Sequence, residues 1–121
     1  MKNIFLLAVV LVLSTSAFAQ KKNAKVSFEV DGVCMMCKKR IEKAALKTKG
    51  VKFAKWDVNT HKLSLIIDER KTTTEVVKKS IAGVGHDTKE FKATTEVYDN
   101  LHECCKYRDE QVQQDHQKTK Q

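Results

Sequence analysis

Proline is absent from this sequence of 121 residues, and glycine occurs only four times. Thioredoxin-like oxidoreductases hold a cis-proline opposite their reactive cysteines, so the lack of proline argues against that class of enzyme. Long apolar runs are also missing, since the longest, residues 4–13, is too short to cross a bilayer as a helix. Aromatic residues make up only 7% of the chain, and no patch combines them with basic residues as a nucleic-acid surface would.

The N-terminus has the three parts of a secretory signal peptide. Lys2 supplies the positive charge, residues 4–13 form the apolar part, and a small-x-small cleavage pattern ends at Ala19. We therefore predict a signal peptide over residues 1–19, cleavage before Gln20, no stable membrane insertion afterwards, and a periplasmic or secreted location. The alternative is a buried N-terminal helix.

Strand and helix patterns alternate along the middle of the chain. Apolar residues at every second position predict strands, which cover residues 26–30, 51–58, 63–67 and 88–94. Helical spacing predicts a first helix that runs from Cys37 towards Gly50. A second helix is predicted to begin at a capping box formed by Thr72 and Glu75.

The resulting order, βαββαβ, predicts an α+β fold, a ferredoxin-like sandwich in which both helices cover one face of an antiparallel sheet. Trp56, Phe28 and Ile81 are predicted to lie in its core. The predicted units are the signal peptide at residues 1–19, one domain at 20–95, and a C-terminal helix with a polar tail at 96–121.

The C-terminal helix is predicted from apolar residues that recur at helical spacing. These residues are Val97, Tyr98, Leu101, Cys104 and Cys105. Beyond Tyr107 the chain is polar and rich in glutamine, so we predict that it is frayed or disordered.

Cys34 and Cys37 lie three residues apart, between the first predicted strand and the first predicted helix. At the start of a helix, two thiols with this spacing can point at one atom. The helix N-terminus and the cations that follow are expected to favour the thiolate forms. Thiolates select Cu(I), Zn(II) and similar soft ions. The same arrangement serves thiol-disulfide exchange, so the pair alone leaves both interpretations open.

In this context the chain resembles the heavy-metal-associated domain family. That family includes small copper chaperones, periplasmic mercury-binding proteins and N-terminal domains of metal-pumping ATPases. The resemblance covers residues 25–94 and depends on Val30-x-Gly32-x-Cys34-x-x-Cys37, on Ile41 and Ala44, on Gly50-Val51 and on the loop at Gly85. It implies that Cys34 and Cys37 are metal ligands and that the protein is not an enzyme. The family loop usually reads Gly-Met-x-Cys-x-x-Cys, whereas this loop is one residue shorter and lacks the methionine.

Two further groups of residues are candidates for accessory ligands. The predicted topology places His61 and His86 at the same end of the sheet as Cys34, and His86 could be a third ligand, a gate or an exposed loop histidine. The second group is His102 with the adjacent Cys104 and Cys105. Adjacent residues of an α-helix diverge by about 100°, so both thiols would hardly reach one ion. The alternative is that they belong to the apolar face of the tail helix, and the even number of cysteines also permits disulfides.

We predict an exported soft-metal-binding protein, a copper chaperone or scavenger. Cu(I) is the first choice because two thiolates suit its low coordination number, and Hg(II) and Zn(II) are the alternatives. The runner-up function is a thiol-disulfide oxidoreductase that uses the same cysteine pair. A purely structural domain is the third candidate.

Basic residues follow the cysteine loop in a chain whose net charge is +8. Those on the first predicted helix are Lys38, Lys39, Arg40 and Lys43. We predict that they attract an acidic metal-transport protein and orient it towards the cysteine loop. The alternative is an ordinary solvated helix face.

Overall fold

The computed structural model describes residues 19–119, so the predicted signal peptide lies outside the described residues except for Ala19. The elements in chain order are β1 (Ala24–Glu29), α1 (Met35–Lys47), β2 (Val51–Trp56), β3 (Lys62–Ile67), α2 (Thr74–Ala82), α3 (Thr95–Asp99), a 3-10 helix (Glu103–Cys105) and α4 (Glu110–Thr119). Within residues 19–119, no helix has the length and apolar character needed to cross a membrane.

The three strands form one antiparallel sheet in the order β1-β3-β2, with β3 at its centre. Leu63, Leu65 and Ile67 alternate along β3 and are buried on the face that the helices cover. In the register of the sheet, Leu63 lies opposite Phe28 of β1 and Trp56 of β2. The predicted α+β, ferredoxin-like architecture is confirmed, because α1 and α2 follow β1 and β3 as that fold requires.

The core lies between the sheet and the two helices. Ile41 from α1 and Ile81 from α2 are fully buried there, and so is Trp56 at the end of β2. Phe28, which the sequence placed in the core, is only half-buried, and the Lys78 ammonium lies 4.9 Å from its ring centre. It lies in β1, one of the two edge strands of the described sheet.

Helix α2 begins one residue later than the sequence predicted. Thr73, rather than Thr72, is its N-cap, and the Thr73 hydroxyl accepts the backbone N–H of Val76. The predicted capping box with Glu75 is therefore wrong, although a threonine cap does start the helix.

The fourth strand predicted over residues 88–94 does not form in the described chain. Its backbone donors are taken by local acceptors instead. The Thr88 N–H donates to the Phe91 carbonyl at 2.8 Å, and the Ala93 N–H donates to the Asp87 carboxylate at 2.7 Å. Hydrogen bonds of this kind offer the backbone an alternative to a strand ladder, and here they hold the segment in a bend.

The C-terminal segment also differs from its prediction. The single helix expected through Cys105 is divided into α3 and the 3-10 helix, because Lys106 Nζ donates to the Tyr98 and Asp99 carbonyls at the end of α3. Beyond Tyr107 the chain forms α4 rather than the disordered tail that its composition suggested.

Candidate metal centre

The loop between β1 and α1 is held at its start by two backbone hydrogen bonds to distant parts of the chain. The Val30 N–H donates to the His61 carbonyl at 2.9 Å, and the Asp31 N–H donates to the Asp87 carbonyl at 2.9 Å. Below the loop, the Trp56 indole N–H donates to the carbonyls of Val30 and His61, at 3.0 and 3.1 Å. These contacts fix the position at which the first thiol leaves the sheet.

Cys34 and Cys37 meet at the first turn of α1. Cys34 is the N-cap of the helix, and its sulfur accepts the backbone N–H of Cys37 at 3.4 Å. The two Sγ atoms lie 3.1 Å apart, and both cysteines are free thiols. Cys37 is fully buried, whereas Cys34 is partly exposed. The spacing in the sequence therefore does bring two soft donors together at a helix start.

Burial raises the pKa of the Cys34 thiol, and the hydrogen bond with Cys37 adds to that shift. Burial likewise raises the pKa of Cys37. The expectation that nearby cations favour the thiolates is wrong, because Lys38 is directed to Glu42 and Arg40 to His86. A soft metal ion that binds here must therefore displace thiol protons.

The C-terminal segment brings two more thiols to this pair. Cys105 Sγ lies 3.3 Å from Cys34 Sγ, and its side chain is fully buried. Cys104 is exposed, and its Sγ lies 3.8 Å from that of Cys105 and 3.7 Å from Met36 Sδ. The sulfurs of Cys34, Cys104 and Cys105 all lie within 4.8 Å of one another. The expected divergence of the adjacent cysteines therefore does not keep their sulfurs apart.

Tyr107 and Arg108 hold the C-terminal segment in this position. The Tyr107 hydroxyl donates to the Gly85 carbonyl at 2.6 Å and accepts the Asp87 N–H at 3.0 Å. The Arg108 guanidinium binds both carboxylate oxygens of Asp87, at 2.8 and 3.0 Å. Although burial opposes the charge, this guanidinium and the Ala93 N–H keep the pKa of Asp87 below its ordinary value.

None of these anchoring residues was singled out in the sequence. Asp87 comes next to His86, and Tyr107 and Arg108 stand where the apolar pattern ends and the polar tail begins. An aromatic residue followed by an arginine at such a boundary is the sequence feature that could have indicated an anchor. The residues that Tyr107 and Arg108 contact lie about twenty positions earlier in the chain, so no local pattern identifies them.

His86 is buried rather than exposed, and both of its ring nitrogens have protein partners. Nδ1 donates to the Asp31 carbonyl at 2.8 Å, so Nε2 is the acceptor, and it receives the Arg40 guanidinium at 3.2 Å. The ring stacks on Tyr107, with 5.2 Å between the ring centres. Burial, reinforced by Arg40, lowers the pKa of His86 to about 4. In this arrangement His86 braces the loop and has no nitrogen left for a metal.

The remaining predicted residues are placed as follows. His61 stacks on Trp56 at 5.6 Å and adopts a positive φ of 61° in the turn before β3. His102 is exposed, and it does not belong to the group of close sulfurs. Of the predicted docking cations, Lys39 and Lys43 are exposed on one side of α1.

Comparisons with known proteins place this geometry among metal-binding domains. The model of the heavy-metal-associated domain matches residues 27–87. Among solved structures, a CopZ metallochaperone is 26% identical with a TM-score of 0.52, and the match covers 54% of this chain and 98% of that one.

Two further solved structures are similar to the chain. The water-soluble region of the P-type ATPase CopA from Bacillus subtilis is 25% identical with a TM-score of 0.52, over 59% of this chain and 47% of that one. The N-terminal domain of a potential copper-translocating P-type ATPase from Bacillus subtilis, in its Cu(I)-loaded state, has a TM-score of 0.51 over 54% of this chain and 82% of that one. At 23% identity, this last likeness shows the fold alone. No curated protein matches the chain.

Proposed function

The chain belongs to the heavy-metal-associated domain family, and we propose that it binds one Cu(I) ion as cargo through Cys34 and Cys37. The observation that carries the proposal is the pair of free thiols, 3.1 Å apart, at the first turn of α1. Soft sulfur donors in low number suit Cu(I) better than ions that need four ligands or oxygen donors. The likeness to the CopZ metallochaperone supports a role in carrying a metal ion.

The proposed role is transport or buffering, without an enzymatic reaction. The oxidoreductase that would use the same cysteines is not favoured, because the family model covers the loop and the sequence has no proline to stand opposite the thiols. The likeness to the soluble region of a P-type ATPase supports a metal-transport protein as the partner.

Export is part of the proposal and depends on the predicted signal peptide over residues 1–19. Expression of the full sequence should yield a mature chain that begins at Gln20 in the periplasm or the medium, as N-terminal sequencing would show. An unprocessed chain that begins at Met1 and stays in the cytoplasm would contradict the export proposal and leave the metal site untouched.

Copper binding is tested by anaerobic titration of the reduced protein with Cu(I), in competition with a chromophoric Cu(I) chelator. We expect one tightly bound equivalent in the wild type and none in the double variant Cys34→Ser, Cys37→Ser. Met35→Leu is the matched control, because Met35 lies in the same turn but its side chain is exposed. Tight stoichiometric binding by the double variant, with its fold intact by circular dichroism, would refute the proposed function.

A further inference from the structure

We propose that Cys105 supplies a third thiolate to the metal held by Cys34 and Cys37, so that the C-terminal segment closes the site. This inference rests on the proposed function and specifies how the bound ion is retained. The family match ends at residue 87, so the cysteine in question belongs to a part of the chain outside it.

The sulfur positions carry the first step of the argument. Cys105 Sγ lies 3.3 Å from Cys34 Sγ, almost as close as the 3.1 Å between Cys34 and Cys37. Sulfur ligands about 2.3 Å from a metal stand roughly 3.8 Å apart in a tetrahedral site and roughly 4.0 Å apart in a trigonal one. Both separations are measured from Cys34 and are shorter than these values by less than 1 Å, so Cys34 is the sulfur that brings Cys37 and Cys105 towards one ion.

The anchoring of the segment carries the second step. The Tyr107 hydroxyl and the Arg108 guanidinium hold the chain next to Cys105 through Gly85 and Asp87. None of these contacts involves a thiol. The metal-free fold therefore delivers Cys105 to Cys34 in advance, and binding does not require the segment to be ordered first.

Packing alone does not account for the position of Cys105. A cysteine that served only as a small apolar residue would place its sulfur against carbon atoms. Here the buried sulfur faces the partly exposed sulfur of Cys34, the thiol that the proposed function needs. Cys104 is exposed, and it continues the row of soft donors towards Met36 at the surface.

Balanced in protons and charge, the binding step replaces three S–H bonds with three bonds from thiolate to Cu(I) and releases three protons to solvent. No electron transfer occurs. A third thiolate slows the departure of the ion, because a partner's thiols must displace three bonds rather than two. The proposal therefore favours retention by this chain over rapid transfer.

The test uses the mature chain from Gln20, reduced and anaerobic, with Cu(I) and the chromophoric chelator as probes. We expect Cys105→Ser to retain one equivalent of Cu(I) but to bind it at least about tenfold more weakly than the wild type. Its matched control is His102→Asn, at an exposed residue of the same segment outside the group of close sulfurs, which should stay within about twofold of the wild type. Equal affinities of Cys105→Ser and the wild type would overturn the inference and leave the proposed function standing. Absence of binding in the wild type would refute the proposed function itself.

Because Cys105 is fully buried, its replacement could also loosen the segment. X-ray absorption at the copper edge of the loaded wild type needs no variant. Three sulfur neighbours per copper are the expected result, and two sulfur neighbours would overturn the inference.

Discussion

At the scale of single residues, His86 was predicted as a possible metal ligand, but in the structure its hydrogen bonds connect the cysteine loop to α1. Its ring is enclosed by Arg40 from α1, by the loops that carry Asp31 and Asp87, and by Tyr107 from the C-terminal segment. Each nitrogen already has a partner, and burial keeps the ring neutral. The sequence placed His86 correctly beside the cysteine loop, but it could not reveal that Arg40 would turn inward to meet it.

The buried neutral ring predicts a loss of stability in mild acid. The folded-state pKa of His86, about 4, lies below the ordinary value of 6.5, so the unfolded chain binds this proton first as the pH falls. The contribution is complete above about pH 6.5 and is lost progressively towards pH 4. We expect the free energy of unfolding of the metal-free protein to fall by about 2 kcal/mol between pH 7 and pH 5.

Urea unfolding at the two pH values measures this loss. His86→Asn keeps a donor for the Asp31 carbonyl but cannot titrate, so most of the pH dependence should disappear in this variant. His102→Asn removes an exposed histidine and should keep the wild-type dependence. An unchanged pH dependence in His86→Asn would show that another group is responsible.

Gly32 allows the cysteine loop to lie directly against the Trp56 ring. A Cβ atom at this position would stand 3.0 Å from Trp56 Cζ2 and 3.1 Å from Cys37 Cβ. Gly32→Ala should therefore lower the free energy of unfolding by roughly 1–3 kcal/mol, as overpacking of a core does. In the control Gly83→Ala, the nearest atom is the Ser80 carbonyl oxygen at 3.3 Å, and the change should stay within about 0.5 kcal/mol. Urea unfolding compares the two, and equal losses would contradict the packing argument.

At the scale of elements, the sequence identified those whose structure is set by local periodicity. Alternation located β1, β2 and β3, and the apolar positions from Ile41 onward located α1. The predictions for residues 88–94 and for the tail failed because contacts distant in sequence decide those segments. Asp87 draws the Ala93 N–H away from a strand, and it also holds Arg108. The same contacts explain why the approach of Cys105 to Cys34 could not be read from the sequence.

The two hydrogen bonds from the Arg108 guanidinium to the Asp87 carboxylate should be the main polar contact that holds the C-terminal segment in place. Asp87 is buried, and a lysine at position 108 would offer a point charge in place of two parallel hydrogen bonds. We expect Arg108→Lys to lower the free energy of unfolding by about 1–3 kcal/mol in urea titration of the metal-free protein.

The control for Arg108→Lys is Glu75→Gln, which breaks the exposed pair with Lys79 and should cost less than about 0.5 kcal/mol. If Arg108→Lys is as mild as this control, the segment is held by apolar packing of Tyr98 and Leu101 instead.

At the scale of the whole molecule, the net charge of +8 matters where it is exposed beside the thiols. Lys38 is bound to Glu42 and the Trp56 carbonyl, and Arg40 is bound to His86. The charges of Lys38 and Arg40 are therefore engaged in contacts within the chain. Of the predicted docking surface, this leaves Lys39 and Lys43, which are exposed and lie one helical turn apart on α1.

Lys39 and Lys43 should steer an acidic metal-transport domain towards the cysteine loop. We expect Lys39→Glu to slow Cu(I) transfer to such a domain several-fold at low salt and to leave the affinity for Cu(I) unchanged. Exposed charges are screened within about 10 Å at roughly 0.1 M salt, so the difference from the wild type should shrink as salt is added. Stopped-flow transfer between the two proteins measures both effects.

The control for this prediction makes the same charge change at the far end of the molecule. Lys71 is exposed and lies beside Gly50, past the C-terminal end of α1. Because an α-helix rises by about 1.5 Å per residue, the length of α1 places Lys71 about 20 Å from the thiols. Lys71→Glu lowers the net charge as much as Lys39→Glu does. Local steering therefore predicts slow transfer in Lys39→Glu alone, because the attraction must act where the two cysteine loops meet. Equal slowing in both variants would assign the effect to net charge, and a salt-independent rate unaltered in either variant would leave Lys39 and Lys43 as ordinary surface charges.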